Sequence, residues 1–235
     1  MKYRFLPLVL FFLFSFTTTS KVGPFSSKIG NAPNTVKEIE AESLYHKLRA
    51  NQFSLPTLDS FSEAITGFYQ LKEKGLVERD ILTIIDFSLS SNTKRMWVID
   101  MAAQVVLMNS YVAHGKNTGE EFAKSFSNEN SSFKSSLGFY TTGEIYNGKH
   151  GMSLKLDGLE KGINDKARER GIVMHAADYV SNDFIKSNKR LGRSQGCPAV
   201  PVELSSEIID MIKGKSCLFM YHPSRTYMGD RKVTL

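Results

Sequence analysis

The order of apolar and polar positions divides the chain into three textures. Residues 1–20 hold a twelve-residue apolar run, Phe5 to Phe16, between a basic start (Lys2, Arg4) and a small polar stretch, Thr17-Thr-Thr-Ser20. That three-part order predicts a secretory signal peptide cleaved after Ser20, and the run is too short to favour a membrane span. Residues 21–34 are rich in Gly, Pro, Ser and Asn and predict a flexible lead. Helical spacing follows. Thr35 and Glu38 stand at capping-box distance and open a helix predicted to about residue 50. Ser60 and Glu63 repeat the pattern, and Leu58, Phe61, Ile65, Phe68 and Leu71 recur on one helical face as far as Gly75.

Near residue 79 the period changes. Residues 81–88, 95–100 and 104–112 are short runs rich in β-branched and aromatic side chains, separated by polar turns. Further strands are predicted at 136–141, 152–156, 172–175 and 217–221, with a hairpin or flap over 140–151. Residues 119–127 and 164–170 are candidate short helices. Leu204, Ile208, Ile209 and Ile212 mark an amphipathic helix over 202–213. The expected fold is mainly β (α+β): a curved sheet, sandwich or small barrel with a few helices, preceded by a helical cover at 35–78.

Composition narrows the partners. The chain is 41% hydrophobic and 23% charged, the balance of a globular protein with a real core. Its formal net charge is +6, or +4 once Lys2 and Arg4 leave with residues 1–20. That suits an anionic envelope polymer as well as a plain solvated surface, and no basic run interleaved with aromatics points to nucleic acid. The five histidines show no His-x-x-x-His or His-Glu-x-x-His spacing and the two cysteines no Cys-x-x-Cys, so neither a metal nor another cofactor is expected.

The stretch with most chemistry is Arg190-Leu-Gly-Arg-Ser-Gln-Gly-Cys-Pro-Ala-Val-Pro201. A thiol needs a base or a positive field to become a nucleophile at neutral pH. His175, twenty-two positions before Cys197 and at the end of an apolar run, is the candidate base. Asp178 or a backbone carbonyl just after His175 could fix its tautomer, and Ser194 could hydrogen-bond within the turn. Gly196 leaves backbone N–H groups unshielded, as an oxyanion hole requires. In an exported protein Cys197–Cys217 could instead form a disulfide. The apolar run around Cys217 favours a buried structural thiol there and a free thiol at 197.

His175-Ala-Ala-Asp-Tyr179 followed by Ser194-Gln-Gly-Cys197 resembles the active-site signature of the L,D-transpeptidase (YkuD-type) catalytic domain. The runs 109–115, 134–140, 146–151, 156–160 and 196–201 resemble the murein branch of that family, and the likeness covers roughly residues 80–225. It implies an exported enzyme acting on peptidoglycan stem peptides, with residues 79–235 as the catalytic domain. Cys197 would take the acyl group of a tetrapeptide stem, release D-alanine and pass the acyl group to an amine of a second stem. It further implies that His175 is the base, that the Ala176 carbonyl orients it, and that amides around Gln195–Cys197 hold the oxyanion. Arg190, Arg193, Tyr140, Tyr146 and His150 are the further candidates for substrate contact. Three positions depart from the family pattern: Ala176 replaces the usual glycine, Gln195 a frequent histidine, and Ala199 a common Arg or Asn, which implies a changed substrate-contacting rim. Hydrolysis of the same thioester, giving an L,D-carboxypeptidase, and a silent wall-binding domain are the alternative functions.

Overall fold

The computed structural model describes residues 36–149 and 151–228; the predicted signal peptide, the lead and His150 lie outside them. Helices α1 (Val36–Lys47) and α2 (Leu58–Glu73) come first. Strands β1 (Ile81–Asp86), β2 (Met96–Asp100), β3 (Val105–Ser110), β4 (Gly138–Gly148), β5 (Gly151–Gly158) and β6 (Val173–Ala176) follow. Then come α3 (Asn182–Asn188), β7 (Ala199–Val200), α4 (Val202–Ile212), β8 (Cys217–Tyr221) and a 3₁₀ helix, Pro223–Met228.

The strands form one sheet in the order β3-β2-β1-β8-β4-β5-β6-β7. Only β1–β8 and β6–β7 are parallel; the other pairs are antiparallel. Of the β architectures expected, the curved sheet is the one formed, and it nearly closes. Beyond β3, Ala113 bridges to Ala199 of β7 at the opposite edge, with the Ala113 N–H donating to the Ala199 carbonyl at 2.8 Å.

Both faces of the central strands are covered, which explains why their sequences are continuous apolar runs. The pleat sends alternate residues to two cores. Ile85, Met96, Val98, Leu218 and Met220 face α4, whose Ile208, Ile209 and Ile212 are buried. Leu82, Ile84, Trp97, Ile99 and Phe219 face Phe61, Ala64, Ile65, Phe68 and Leu71 of α2. Each large apolar side chain buried in these layers stabilises the fold by roughly 1.5–3 kcal/mol. Gly67 is what lets α2 approach: a Cβ there would stand 2.0 Å from the Phe139 ring.

Several local expectations change under tertiary contacts. The box at Ser60 and Glu63 does not cap α2. Thr57 does, its hydroxyl accepting from the Ser60 N–H at 3.3 Å, and it also donates to Asp86 at the end of β1 (2.8 Å). Glu63 instead pairs with Arg225, whose guanidinium lies over the stacked rings of Phe139 and Phe219 and reaches the buried Glu160 at 2.6 Å. Residues 119–127 form no helix: Gly119 bridges Ala123, and the N–H groups of Lys124 and Ser125 both turn back to Thr118 O. Residues 164–170 are successive turns. There the Asn164 side chain accepts from Glu160 N–H and donates to Leu137 O and Phe139 O, tying the segment to β4. Helix α3 escaped the periodicity argument because it buries no residue; Ser181 caps it by accepting from Phe184 N–H at 3.2 Å.

Candidate active site

Parallel pairing of β6 and β7 brings the predicted pair together. His175 stands opposite Ala199, so Cys197, two residues earlier, is carried to the level of Val173 on the neighbouring strand. The thiol faces the Gly171 carbonyl at 3.7 Å, and the Val173 N–H points at the sulfur. The His175 ring is almost fully buried, and its Nδ1 lies 2.9 Å from the Ala176 carbonyl. A carbonyl can only accept, so Nδ1 carries the proton and Nε2 keeps its lone pair. Ala176 serves through its backbone, in ordinary strand geometry, so an alanine fits where the family pattern has glycine.

The loop before Cys197 is held by its own side chain. Ser194 Oγ accepts from Gly196 N–H at 3.0 Å and donates to the Cys197 carbonyl at 2.6 Å. The Gly196 amide, expected as an oxyanion donor, is therefore occupied inside the turn. What glycine supplies is conformation: its φ is +124°, and a Cβ would meet Lys134 O at 2.9 Å. Ser135 adds a strut, its hydroxyl donating to Gly196 O at 3.0 Å and accepting from Gly115 N–H at 3.1 Å.

Cys197 and His175 open into a cleft of about 540 Å³ that Gln195, Tyr179, Phe133 and Tyr146 also line. Its charged rim residues are Lys149, Arg170 and Arg193, with no carboxylate among the described lining residues. Burial pushes the Cys197 thiol above its ordinary value, while the Val173 N–H and the Arg170 charge pull it down. Burial likewise pushes the Tyr179 hydroxyl up to about 12. Both cysteines are free; Cys217 is fully buried on β8, and burial raises its thiol strongly.

A second layer supports the loop from beneath. Arg95 is fully buried and donates to Val112 O (3.0 Å), Leu89 O (2.8 Å) and His114 Nδ1 (2.8 Å). His114 donates through Nε2 to Gly119 O at 3.2 Å, and its own carbonyl accepts from Ser194 N–H at 3.0 Å. Burial first, and the Arg95 charge second, lower His114 to about 3. An unfolded histidine titrates near 6.5. Between those values the unfolded chain binds a proton that the folded chain refuses, so stability is present above about pH 6.5 and falls as pH drops toward 3. Acidifying from pH 7 to pH 4 should cost roughly 3 kcal/mol from this group. Urea titrations across that range should show a clearly shallower slope in His114→Asn than in the parent.

The remaining candidates separate. Tyr146, Arg193 and Gln195 line the cleft. Tyr140 does not: it is fully buried, bonded to Ser136, because its strand position points into the core rather than along the hairpin surface. Arg190 is also outside the lining and pairs with Glu120 at 2.9 Å, the carboxylate that Arg193 holds at 2.6 Å. Ala199, one of the three departures, is fully buried between β6 and Ala113, so of those three only Gln195 touches the cleft. Sequence reasoning passed over Arg170 and Phe133, which no motif marks, and Lys149, which lies in the 146–151 run without being singled out there. Among the described residues no cluster of His, Cys, Asp and Glu is placed to hold a metal ion, and no helix is long and apolar enough to cross a membrane.

Three solved structures illustrate the likeness. An L,D-transpeptidase from Mycobacterium smegmatis aligns at 13% identity and a TM-score of 0.39, over 61% of this chain and 59% of that one. L,D-transpeptidase 1 of Mycobacterium tuberculosis aligns at 10% and 0.35, over 61% and 62%. The helical cell shape determining protein Pgp2 of Campylobacter jejuni aligns at 13% and 0.40, over 66% and 54%. The chain thus spans about three-fifths of the length of the first of these. Comparison with curated proteins finds no match. The sequence model of the L,D-transpeptidase catalytic domain matches residues 54–221, from just before α2 to the last residue of β8. That span contains β6, β7, His175 and Cys197, and by it the chain belongs to the L,D-transpeptidase catalytic domain family.

Proposed function

We propose that the protein is an exported peptidoglycan L,D-transpeptidase in which Cys197 is the nucleophile and His175 its base. The observation that carries this is the tautomer of His175. With Nδ1–H fixed on the Ala176 carbonyl, Nε2 is the ring nitrogen that bears the lone pair and can take the thiol's proton. The thiolate attacks the carbonyl of the L-to-D bond in a tetrapeptide stem. Because the Gly196 amide is occupied, the oxyanion falls to the N–H groups of Gln195 and Cys197. His175 returns the proton to the departing D-alanine amine, leaving a thioester. The amine of a second stem then displaces the sulfur and forms the crosslink. Lys149, Arg170 and Arg193 give the cleft a basic lining that suits the carboxylates of stem peptides. Residues 1–20, with their basic, apolar and small polar segments, support export to the envelope.

The test incubates the exported form, residues 21–235, and its Cys197→Ala variant with disaccharide-tetrapeptides, reading products by mass spectrometry. Dimers joined through an L,D bond, made only by the parent, are the expected result. Tripeptide without dimer would make the protein an L,D-carboxypeptidase. Sacculus binding without turnover, unchanged in the variant, would leave a wall-binding domain.

A further inference from the structure

Arg170 sits three residues before the start of the strand that presents His175, in the turn whose Gly171 carbonyl faces the thiol. Its guanidinium is held by Ser127 O (2.8 Å), Ser136 Oγ (3.2 Å), Ser132 Oγ (3.3 Å) and Lys134 O (2.6 Å). All four acceptors are neutral. The carboxylate that acts on Arg170 through space, Glu129, is exposed and shared with Lys166 at 3.3 Å. A half-buried cation without a bonded counter-ion is costly unless something nearby develops negative charge. The nucleophile is that something. Arg170 Nη2 lies 3.5 Å from where a side chain on Gly196 would begin, and Arg170 and Cys197 line the same cleft.

We propose that Arg170 is a positioning residue whose guanidinium, locked by four neutral acceptors, holds a permanent positive charge beside the Cys197 sulfur and favours its thiolate. This rests on the reading of Cys197 as the nucleophile. Both terminal nitrogens are committed to the segment 127–136, so Arg170 acts by field rather than by donating a bond to substrate. The same four bonds fix the segment that carries Phe133 at a positive φ of 53° into the cleft wall, coupling the shape of the cleft to the charge at the thiol. The other ionisable groups around the cleft are His175 and Tyr179 from β6 and the turn after it, Arg193 from the cysteine's own loop, and Tyr146 and Lys149 from the β4–β5 hairpin. Arg193 is paired with Glu120, a carboxylate it shares with Arg190. Arg170 and the Val173 N–H are the influences that pull the thiol down.

The experiment follows alkylation of Cys197 by iodoacetamide against pH, with the site assigned by mass spectrometry, in the parent, Arg170→Gln and Arg170→Lys. Both substitutions lose the forked bonds; only one loses the charge. Arg170→Gln should titrate about one unit higher than the parent and alkylate about tenfold more slowly below both midpoints. Arg170→Lys should stay within a few tenths of a unit of the parent even where its melting temperature falls. Equal titration in parent and Gln variant would overturn the proposal, and so would a Lys variant that moves as far as Gln. If the Gln variant does not fold, the Lys variant decides alone: a folded Lys protein shifted by a full unit refutes a charge effect. Alkylation needs no stem peptide, so a parent that fails to crosslink leaves this result legible.

Discussion

Replacing His175 by glutamine should lower acyl-transfer turnover by roughly 10²–10⁴-fold, the range by which a positioned base contributes. Glutamine keeps a donor for the Ala176 carbonyl but offers no basic nitrogen at the Nε2 position, so the loss isolates proton transfer from architecture. The thiol it serves is raised by burial and does not ionise readily by itself at neutral pH. The residual activity of His175→Gln should therefore climb steadily from pH 7 to pH 10 as hydroxide takes over deprotonation. Because the pair acts as a unit, Cys197→Ala combined with His175→Gln should be no slower than Cys197→Ala alone. Turnover of tetrapeptide to crosslinked dimer, followed alongside thermal melting, checks all three statements. A glutamine variant with parental turnover and a parental melt would remove His175 from the reaction.

The largest stability loss should come from Arg95→Met. This guanidinium is fully buried, lies over the Phe87 ring at 5.0 Å and satisfies two carbonyls and one imidazole nitrogen. Burial lowers it to about 9, and the Asp86 charge opposes that shift. Methionine fills much of the volume but leaves Val112 O, Leu89 O and His114 Nδ1 without donors. Each orphaned buried acceptor costs about 1–3 kcal/mol, so a total of roughly 3–5 kcal/mol is expected in a urea titration. Activity should fall further than stability alone predicts. His114, no longer fixed through Nδ1, is the residue whose carbonyl anchors Ser194 N–H and thus the cysteine loop. Parental crosslinking at temperatures well below the melt would separate the loop from this support.

Part of the site was legible because it is local. Cys197, Ser194 and Gly196 lie within four residues, and the turn they form is written in their order: the hydroxyl reaches forward two and three residues, and glycine takes the positive φ. The Ala176 carbonyl is one residue from His175. Arg170 carried no such signal. It follows Arg168 by two positions, and only folding separates them: Arg168 turns outward to Asp157 and Glu144, while Arg170 turns inward to acceptors 34–43 residues away. Tyr140 was misplaced for the converse reason. An aromatic near a hairpin looks available until the register puts it opposite Leu218 in the core.

By itself the sequence determined the longer strands and helices, though not α3 or the turns at 119–127 and 164–170, together with the apolar face of α2 and α4 and the thiol and imidazole that strand ends and turns present. Those properties follow from periodicity and from bonds between near neighbours, and they survive any packing that buries the apolar face. The tertiary structure alone decided that β3 and β7 nearly meet, that Arg95 and His114 underpin the cysteine loop, and that Arg170 rather than Arg190 stands at the cleft. Each of these depends on groups tens of residues apart whose proximity is set by the curvature of the sheet, a sum over many contacts that no short stretch of chain encodes.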